Sequence, residues 1–245
     1  MKYNIVITAG GTSEKIDNVR KITNSSSGKL GCAIANKLIE DYEKNVKKIY
    51  YVCSKNSFKP NHKKVEIIEI MDTNDLENVV RSLLENKRID YFIHSMAVSD
   101  YTVQYVTTAE KLANYFKQKK DENIVESICN YEEGLSDSKI SSNEENLIIK
   151  LKKTPKIISL IKDISPETFL VGFKLLDSVS EKELIDVAYK LKEKNKCNLV
   201  VANDLSNIRN GNHKAFIIKN KDEFVTASGK EDIADKLIGE MIGCG

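Results

Sequence analysis

Neither positive nor negative charge predominates in this sequence. The 38 lysines and arginines and the 36 aspartates and glutamates leave a formal net charge of +2 over 245 residues. A chain so close to neutral gives no support for nucleic acid or an anionic membrane as its partner. Long apolar runs are also missing, because none approaches the roughly 20 residues that a membrane span needs. We therefore predict a protein with neither a nucleic-acid partner nor a membrane segment.

The residues that build disulfides and metal sites are few and scattered. Five cysteines form no Cys-x-x-Cys pair, which is typical of a reduced, cytoplasmic protein with incidental thiols. The three histidines, His62, His94 and His213, are too far apart in sequence for the usual spacing of zinc ligands. His94 ends an apolar run, so we interpret it as a buried histidine beside a core strand.

Short apolar runs alternate with amphipathic segments along the chain. The run "YNIVITA" near the start predicts a buried first strand. Leu30, Ala33, Ile34 and Leu38 then fall on one helical face. This rhythm is typical of an α/β protein with a Rossmann-like, doubly wound and mostly parallel sheet. Because we find no internal repeat and no linker, we predict a single domain over residues 1–245.

One segment interrupts this alternation. Residues 117–146 are polar, mixed in charge and without strong periodicity, which favours a mobile lid. The segment "LIIKLKKTP" follows it and alternates apolar residues with lysines, so it predicts a strand in a small added β region. Its lysines are interpreted as the solvated face of that strand.

A loop rich in serine and glycine precedes the first predicted helix. The stretch "ITNSSSGKLG" has Thr23 where a Walker loop needs its first glycine, and Leu30 where it needs serine or threonine. Free backbone N–H groups and the helix dipole nevertheless favour an anion at a helix start. Gly28 and Gly31 would let a phosphate approach the backbone. A serine-capped helix with glycines for packing explains the same residues equally well.

Polar clusters follow several predicted strands. In an open parallel sheet, such residues meet beyond the carboxyl ends of the strands, where ligands bind. Asp100 is either a loop cap or a ligand of substrate or Mg²⁺, which prefers one or two carboxylates plus phosphates. Lys139 is either solvated or, when a lid closes, placed to stabilise developing negative charge. The clusters lie at residues 10–12, 95–101, 173–174 and 203–204.

Four motifs occur in the order "VITAGGTSEKIDNVRKITNSSSGKLG", "HSMAVSDY", "KISS" and "VVAND". Together they resemble the phosphopantothenate–cysteine ligases of coenzyme A biosynthesis, over essentially the whole chain, and the length is similar to that of the stand-alone bacterial form. The resemblance implies that CTP, or alternatively ATP, activates the carboxylate of 4'-phosphopantothenate as an acyl-nucleotidylate. The amine of L-cysteine would then attack it. Mg²⁺ is the implied cofactor.

The resemblance also implies roles for individual residues. Asn24 would contact the acyl intermediate and Lys139 would act from the lid, so both are expected to be catalytic. Asp100 is also the expected metal ligand. The expected nucleotide contacts are Gly10, Ser26, Gly28, Gly31, Phe173 and Asn203. The expected contacts of phosphopantothenate are Arg20, Asn24, Ala97 and Asp100.

A homodimer with shared sites is implied as well. Arg20 resembles the family residue that reaches a neighbouring subunit's site, and guanidinium suits bidentate phosphate binding. Late strands such as "KAFIIKN" would pair across the subunits. Met96 stands where the family often has alanine, and "KISS" has fewer lysines than many bacterial lids. Both differences bear on the choice between CTP and ATP.

Two other functions compete with the ligase. An NAD(P)-dependent oxidoreductase on a Rossmann-like fold would need an acidic residue at the end of the second strand, but that strand ends in "YYVCSKN". The sequence also lacks a proper G-x-G-x-x-G fingerprint. A nucleotide-sensing or scaffold protein would not need Asn24, Asp100 and Lys139 together. The sequence therefore favours the ligase.

Overall fold

Strands and helices alternate along most of the chain in the computed structural model, which describes residues 2–118, 123–131, 134–135, 139–209 and 213–243. The strands are β1 (Tyr3–Ala9), β2 (Ser13–Lys15), β3 (Lys21–Thr23), β4 (Val46–Ser54), β5 (Val65–Ile70), β6 (Tyr91–His94), β7 (Tyr101–Thr108), β8 (Leu147–Lys153), β9 (Phe169–Leu176), β10 (Leu199–Asp204), β11 (Lys214–Asn220) and β12 (Glu223–Ser228). The helices are α1 (Lys29–Tyr42), α2 (Thr73–Asn86), α3 (Ala109–Gln118), α4 (Ile124–Cys129), α5 (Ile157–Ile164), α6 (Glu181–Lys194), α7 (Leu205–Arg209) and α8 (Lys230–Ile242).

Eight strands form the main sheet, in the order β12-β11-β10-β9-β6-β1-β4-β5. Neighbouring strands are parallel from β5 to β10. β11 is antiparallel to both of its neighbours, β10 and β12. The chain adds β4 and β5 on one side of β1 and then crosses to β6 on the other side. A crevice therefore opens between β1 and β6, at the position where sheets of this kind bind ligands. The predicted Rossmann-like sheet is confirmed.

Helices cover both faces of the main sheet. Successive residues of a strand point to opposite faces, so Ile7 packs in the core under α1 and α8, while Val6 packs in the core under α2, α5 and α6. The predicted doubly wound arrangement is confirmed by these two apolar layers. No described helix is both long enough and apolar enough to span a membrane.

A two-stranded ribbon of β7 and β8 lies outside the main sheet. It confirms the small added β region. The lid predicted over residues 117–146 begins within α3 and includes α4, after which Tyr131 packs against Tyr105 and Tyr115. Lid residues 119–122, 132–133 and 136–138 lie outside the described residues. The mobility of the lid stays a prediction.

The prediction that "KAFIIKN" pairs across subunits is wrong. This segment is β11, and Ile217 is in register with Val201 of β10 on one side and with Val225 of β12 on the other. A strand has two hydrogen-bonding edges, and both edges of β11 are used within the chain. A second subunit therefore finds no free edge on this strand.

Candidate active site

A cavity of about 660 Å³, here called the main cavity, opens beyond the carboxyl ends of β6, β9 and β10. It lies where the topology rule places a ligand. Seven of the predicted site residues line it, although they come from four separate segments of the chain. They are Ser26, Gly28, Gly31, Ala97, Asp100, Phe173 and Asn203.

The start of α1 forms one wall of the main cavity. Gly28 precedes the helix with a φ of 72° and provides no side-chain cap, and the first intrahelical bond runs from Cys32 N–H to the Gly28 carbonyl at 3.0 Å. The nearest serine hydroxyl, that of Ser27, lies 3.5 Å from the Lys29 nitrogen, which is too long for an effective cap. The first N–H groups of α1 are therefore available to an anion.

Two glycines predicted to contact the nucleotide have structural roles in the free protein. A Cβ on Gly31 would lie 2.7 Å from the Cβ of Ala9, so this glycine lets α1 pack closely on β1. Gly10 has a φ of 87° and does not line the main cavity. It lies directly under the loop, because a Cβ on Gly28 would come within 3.2 Å of the Gly10 nitrogen. The packing interpretation is thus correct for Gly31.

Basic side chains surround the main cavity. Asp100 is the only acidic residue among the described residues that line it, and its carboxylate pairs with the Lys156 ammonium. Burial and the nearby charge of Lys230 lower the pKa of His213. His213 is therefore less readily charged, and the cationic character of the cavity comes from its five lysines, which face a single carboxylate among the described residues. The basic residues of its wall are Lys29, Lys156, Lys174, Lys194, His213 and Lys230.

Sequence analysis missed most of these basic residues. Lys156, Lys194 and Lys230 belong to three different helix ends, and each looks like an ordinary solvated lysine in its own segment. Lys174 was noted only as part of a polar cluster. Their common location depends on the order of the strands, which no local pattern encodes.

Asn203 has an unsatisfied polar group in the wall of the main cavity. Its side chain is buried, with 6% of the residue exposed, and its Nδ2 has no hydrogen-bond partner within the described part of the chain. An orphaned buried donor is destabilising. A ligand with an acceptor atom at this point would satisfy it, and Phe173 lies on the adjacent strand to pack against the same ligand.

A second cavity of about 650 Å³ lies on the other side of the loop that contains Ser25, Ser26 and Ser27, here called the serine loop. Residues 25–27 line both cavities, whereas Asn24 lines only the second. The Asn24 backbone N–H donates to the Thr12 carbonyl at 3.0 Å, and its Nδ2 lies 3.4 Å from the Ala97 carbonyl. Asn24 and Ala97 thus lie together at the boundary between the two cavities, and their contact with phosphopantothenate stays a prediction.

Arg20 and Lys139 line neither cavity. The Arg20 Nη1 lies 3.4 Å from Oδ2 of Asp17, and its Nη2 donates to the carbonyl of Ile140 at 3.4 Å. Lys139, the neighbour of Ile140, is exposed. Within the chain these two predicted residues are therefore close to each other, and neither lines the cavities that hold most of the other site residues.

His94 is a buried histidine beside a core strand, as predicted. Its Nδ1 lies 2.9 Å from the Thr8 hydroxyl, and burial lowers its pKa to about 4. The imidazole is therefore neutral at physiological pH. Its ring also forms part of the wall of the main cavity.

Asp100 is the residue on which a magnesium site would depend. Among the described residues no group of three or more His, Cys, Asp or Glu side chains could hold a metal ion by itself. Asp100 is exposed at the main cavity and offers a single carboxylate. Mg²⁺ is commonly held by one or two carboxylates together with substrate phosphates and water. Asp100 fits a metal ion that arrives on a nucleotide.

The fold and the cavity define a Rossmann-like α/β protein with a cationic ligand site. The sequence profile of the DNA/pantothenate metabolism flavoprotein C-terminal domain matches residues 1–133 and 106–244. The chain belongs to this family.

Known relatives agree with this assignment. The coenzyme A biosynthesis bifunctional protein CoaBC of Thermococcus kodakarensis is 32% identical over 241 residues, which are 97% of this chain and 50% of that protein. The chain thus spans about half the length of the curated relatives it matches.

Solved structures share the fold. The DNA/pantothenate metabolism flavoprotein from Streptococcus pneumoniae superposes with a TM-score of 0.83 at 37% identity, covering 99% of this chain and 100% of that one. A Cab2 mutant in complex with phosphopantothenate-cysteine superposes with a TM-score of 0.65 at 16% identity, covering 98% of this chain and 87% of that one.

Proposed function

We propose that this chain joins 4'-phosphopantothenate to L-cysteine through an acyl-nucleotidylate, with CTP as the nucleotide and ATP as the alternative. Its family, its CoaBC relatives and the ligand of the Cab2 complex support this reaction. The observation that carries the proposal is the main cavity, where an uncapped helix start and several lysines meet at the sheet crevice with Asn203 Nδ2, which has no hydrogen-bond partner among the described residues.

The nucleotide belongs in the main cavity. A triphosphate carries several negative charges, and the wall of this cavity offers cationic side chains and free N–H groups at residues 29–31. Ser26 and Gly28 lie next to those groups. The nucleoside would extend toward Phe173, with Asn203 Nδ2 donating to an acceptor atom of the sugar or base.

Activation requires the carboxylate of phosphopantothenate to attack the α-phosphorus, with pyrophosphate as the leaving group. The chain provides positioning and charge stabilisation for this step, and neither requires a protein nucleophile. The lysines of the main cavity would stabilise the charge that develops on the leaving group. Mg²⁺, with Asp100 as its protein ligand, would neutralise phosphate charge.

Amide formation would take place near Asn24. The amine of cysteine attacks the acyl carbon, the nucleoside monophosphate leaves, and the new amide nitrogen loses a proton to solvent. Asn24 lies at the boundary of the two cavities beside Ala97. From there its amide can hold the acyl group, with the phosphopantothenoyl arm in the second cavity.

Arg20 and Lys139 fit this scheme in a homodimer. They lie away from the cavities of their own subunit, so we propose that they complete the partner's site. The ribbon offers an apolar surface for such contact, because Leu147, Ile149 and Leu151 alternate along β8 and are each about 40% exposed. In this proposal the chain acts as one cytoplasmic domain in each subunit.

The direct test measures pyrophosphate release with phosphopantothenate, cysteine and Mg²⁺, comparing CTP with ATP. Release that depends on phosphopantothenate would establish activation, and the ratio of the two rates would give the nucleotide preference. Folded protein that stays silent with both nucleotides would overturn the proposal. Titration with nicotinamide cofactors would then examine the oxidoreductase, whose acidic residue is missing from the end of β4.

Subunit mixing tests whether the sites are shared. Asn24→Ala should abolish ligation while nucleotide affinity is retained, and Arg20→Ala should impair the site of the partner. An equal mixture of the two variants forms heterodimers with one intact site, and about a quarter of the wild-type turnover should return. A mixture that stays as inactive as its components would show that Arg20 acts within its own subunit.

A further inference from the structure

Asp17 is a buried carboxylate that lies outside both cavities. It belongs to the turn between β2 and β3, and its side chain has no solvent exposure. Burying a carboxylate is costly unless hydrogen bonds and charges compensate it. The partners of Asp17 should therefore indicate what this carboxylate does.

One oxygen of Asp17 closes the turn. Oδ1 accepts hydrogen bonds from the backbone N–H groups of Val19 at 2.7 Å and Arg20 at 2.6 Å. Asparagine and serine commonly close turns in the same way without a charge. The turn alone therefore does not explain why this residue is an aspartate.

The other oxygen reaches a distant segment. Oδ2 accepts the backbone N–H of Ile140 at 3.2 Å and lies 3.4 Å from Nη1 of Arg20. Arg20 in turn reaches the Ile140 carbonyl through Nη2. Ile140 is buried, and it directly follows the exposed Lys139.

The hydrogen bonds and the ion pair all favour the charged carboxylate. The N–H groups of Arg20, Val19 and Ile140 and the Arg20 guanidinium lower the pKa of Asp17 below its ordinary value. Asp17 is therefore ionised over the whole range in which an enzyme of this kind works.

We propose that Asp17 is a positioning residue that holds Arg20 and the backbone next to Lys139 as one unit. The proposal deepens the ligase function, since it rests on that function for the action of Arg20 and Lys139 on substrate. It adds that the two basic groups are not placed independently. Loss of the Asp17 charge displaces both of them at once.

Asp17→Asn is the informative variant. It keeps one oxygen for the turn, but it presents an NH₂ group to the donors of Ile140 and Arg20. Hydrogen exchange of the free protein should show the Ile140 amide exchanging at least about tenfold faster than in wild type, because a charge-assisted bond is lost. Asp222→Asn is the matched control, since Asp222 is an exposed aspartate in the hairpin between β11 and β12.

Turnover separates a positioning role from a purely structural one. Asp17→Asn should lower kcat about tenfold or more and leave nucleotide affinity within about twofold of wild type. In a background that already carries Arg20→Ala and Lys139→Ala, the same substitution should have little further effect, because the groups it positions are absent. Asp17→Ser, which keeps a turn-closing hydroxyl, serves if the asparagine variant does not fold.

Each result bears on one of the two proposals. Unchanged hydrogen exchange at the Ile140 amide would overturn the positioning role of Asp17, and so would fast exchange with unchanged kcat. An additive loss in the Arg20→Ala, Lys139→Ala background would overturn it too. A wild-type protein without ligase turnover would instead reject the proposed function, while the exchange result would still decide whether Asp17 holds the segment.

Discussion

The carboxylate of Glu14 accepts two hydrogen bonds from Thr73, although the two residues are 59 positions apart. Oε1 of Glu14 lies 3.0 Å from the Thr73 nitrogen and 2.7 Å from its hydroxyl. Both residues are buried, and Thr73 is the first residue of α2. This contact attaches the β2–β3 hairpin, which precedes the serine loop, to a helix packed on the main sheet.

Replacement of Glu14 by alanine should reduce the free energy of unfolding by about 2 kcal/mol, because it leaves buried donors without an acceptor. Glu14→Gln keeps one acceptor oxygen and should cost less. Urea denaturation monitored by circular dichroism would measure both. Glu85→Ala, on the exposed face of α2, should change stability little. Equal losses for the alanine variants at positions 14 and 85 would contradict this account.

The sequence predicted the sheet and the location of the site for reasons that are local. The run at β1 and the helical spacing of α1 are strong periodic signals, and parallel strands bring their carboxyl ends to one edge. The predicted first strand agrees with β1 at both ends. The polar segments that contain Ser26, Ala97 and Asn203 could thus be placed at one edge of the sheet, and the family resemblance gave these residues their expected roles.

Other features depend on long-range packing and escaped prediction. The sequence analysis did not predict β12, a short strand whose hydrogen-bonding partner is β11 at the edge of the main sheet. The contact between Asp17 and Ile140 spans 123 positions, and neither segment has a pattern that reveals it. The wrong assignment of β11 to an intersubunit edge came from the family resemblance, and the sequence pattern of β11 could not correct it because it does not indicate which strands flank it.

Lys230 should contribute to triphosphate binding. It is the first residue of α8 and faces the same cavity as His213. Lys230→Ala should weaken nucleotide binding roughly tenfold, the equivalent of about 1.4 kcal/mol. Calorimetric titration with CTP and ATP would measure the effect, and the affinity of wild type should fall as salt is raised.

Lys182→Ala provides the matched control for Lys230. Lys182 is also near the start of a helix, but it is exposed and lines neither cavity. Its replacement should leave nucleotide affinity unchanged. A similar loss for both variants would mean that the net charge of the protein, and not the main cavity, determines binding.

Asn203→Leu should separate stability from binding. The substitution removes a buried donor that has no partner within the described residues, so the free protein should be as stable as wild type or more stable. Nucleotide affinity should fall, because the ligand loses its hydrogen bond. Thermal unfolding with and without nucleotide measures both effects. Destabilisation of the free protein with unchanged affinity would show that Asn203 serves the fold and not the ligand.

The burial of His94 predicts how stability depends on pH. Its pKa falls from the ordinary 6.5 to about 4 in the folded protein, so between these values the unfolded chain binds a proton that the folded protein does not. Stability therefore rises with pH across this window and is lost as the pH falls from 6.5 to 4. The loss due to His94 is on the order of 3 kcal/mol.

The variant His94→Gln removes this titration, and its unfolding free energy should decline less than that of wild type over the same interval. Denaturation at several pH values between 4 and 7 measures the difference between the two proteins, in which contributions of the carboxylates cancel. Glutamine can still form a hydrogen bond with Thr8, so the variant is a reasonable mimic of the neutral imidazole. Parallel pH profiles for the two proteins would show that His94 takes up a proton as readily when folded as when unfolded. That result would contradict a buried, neutral His94 in the wall of the main cavity.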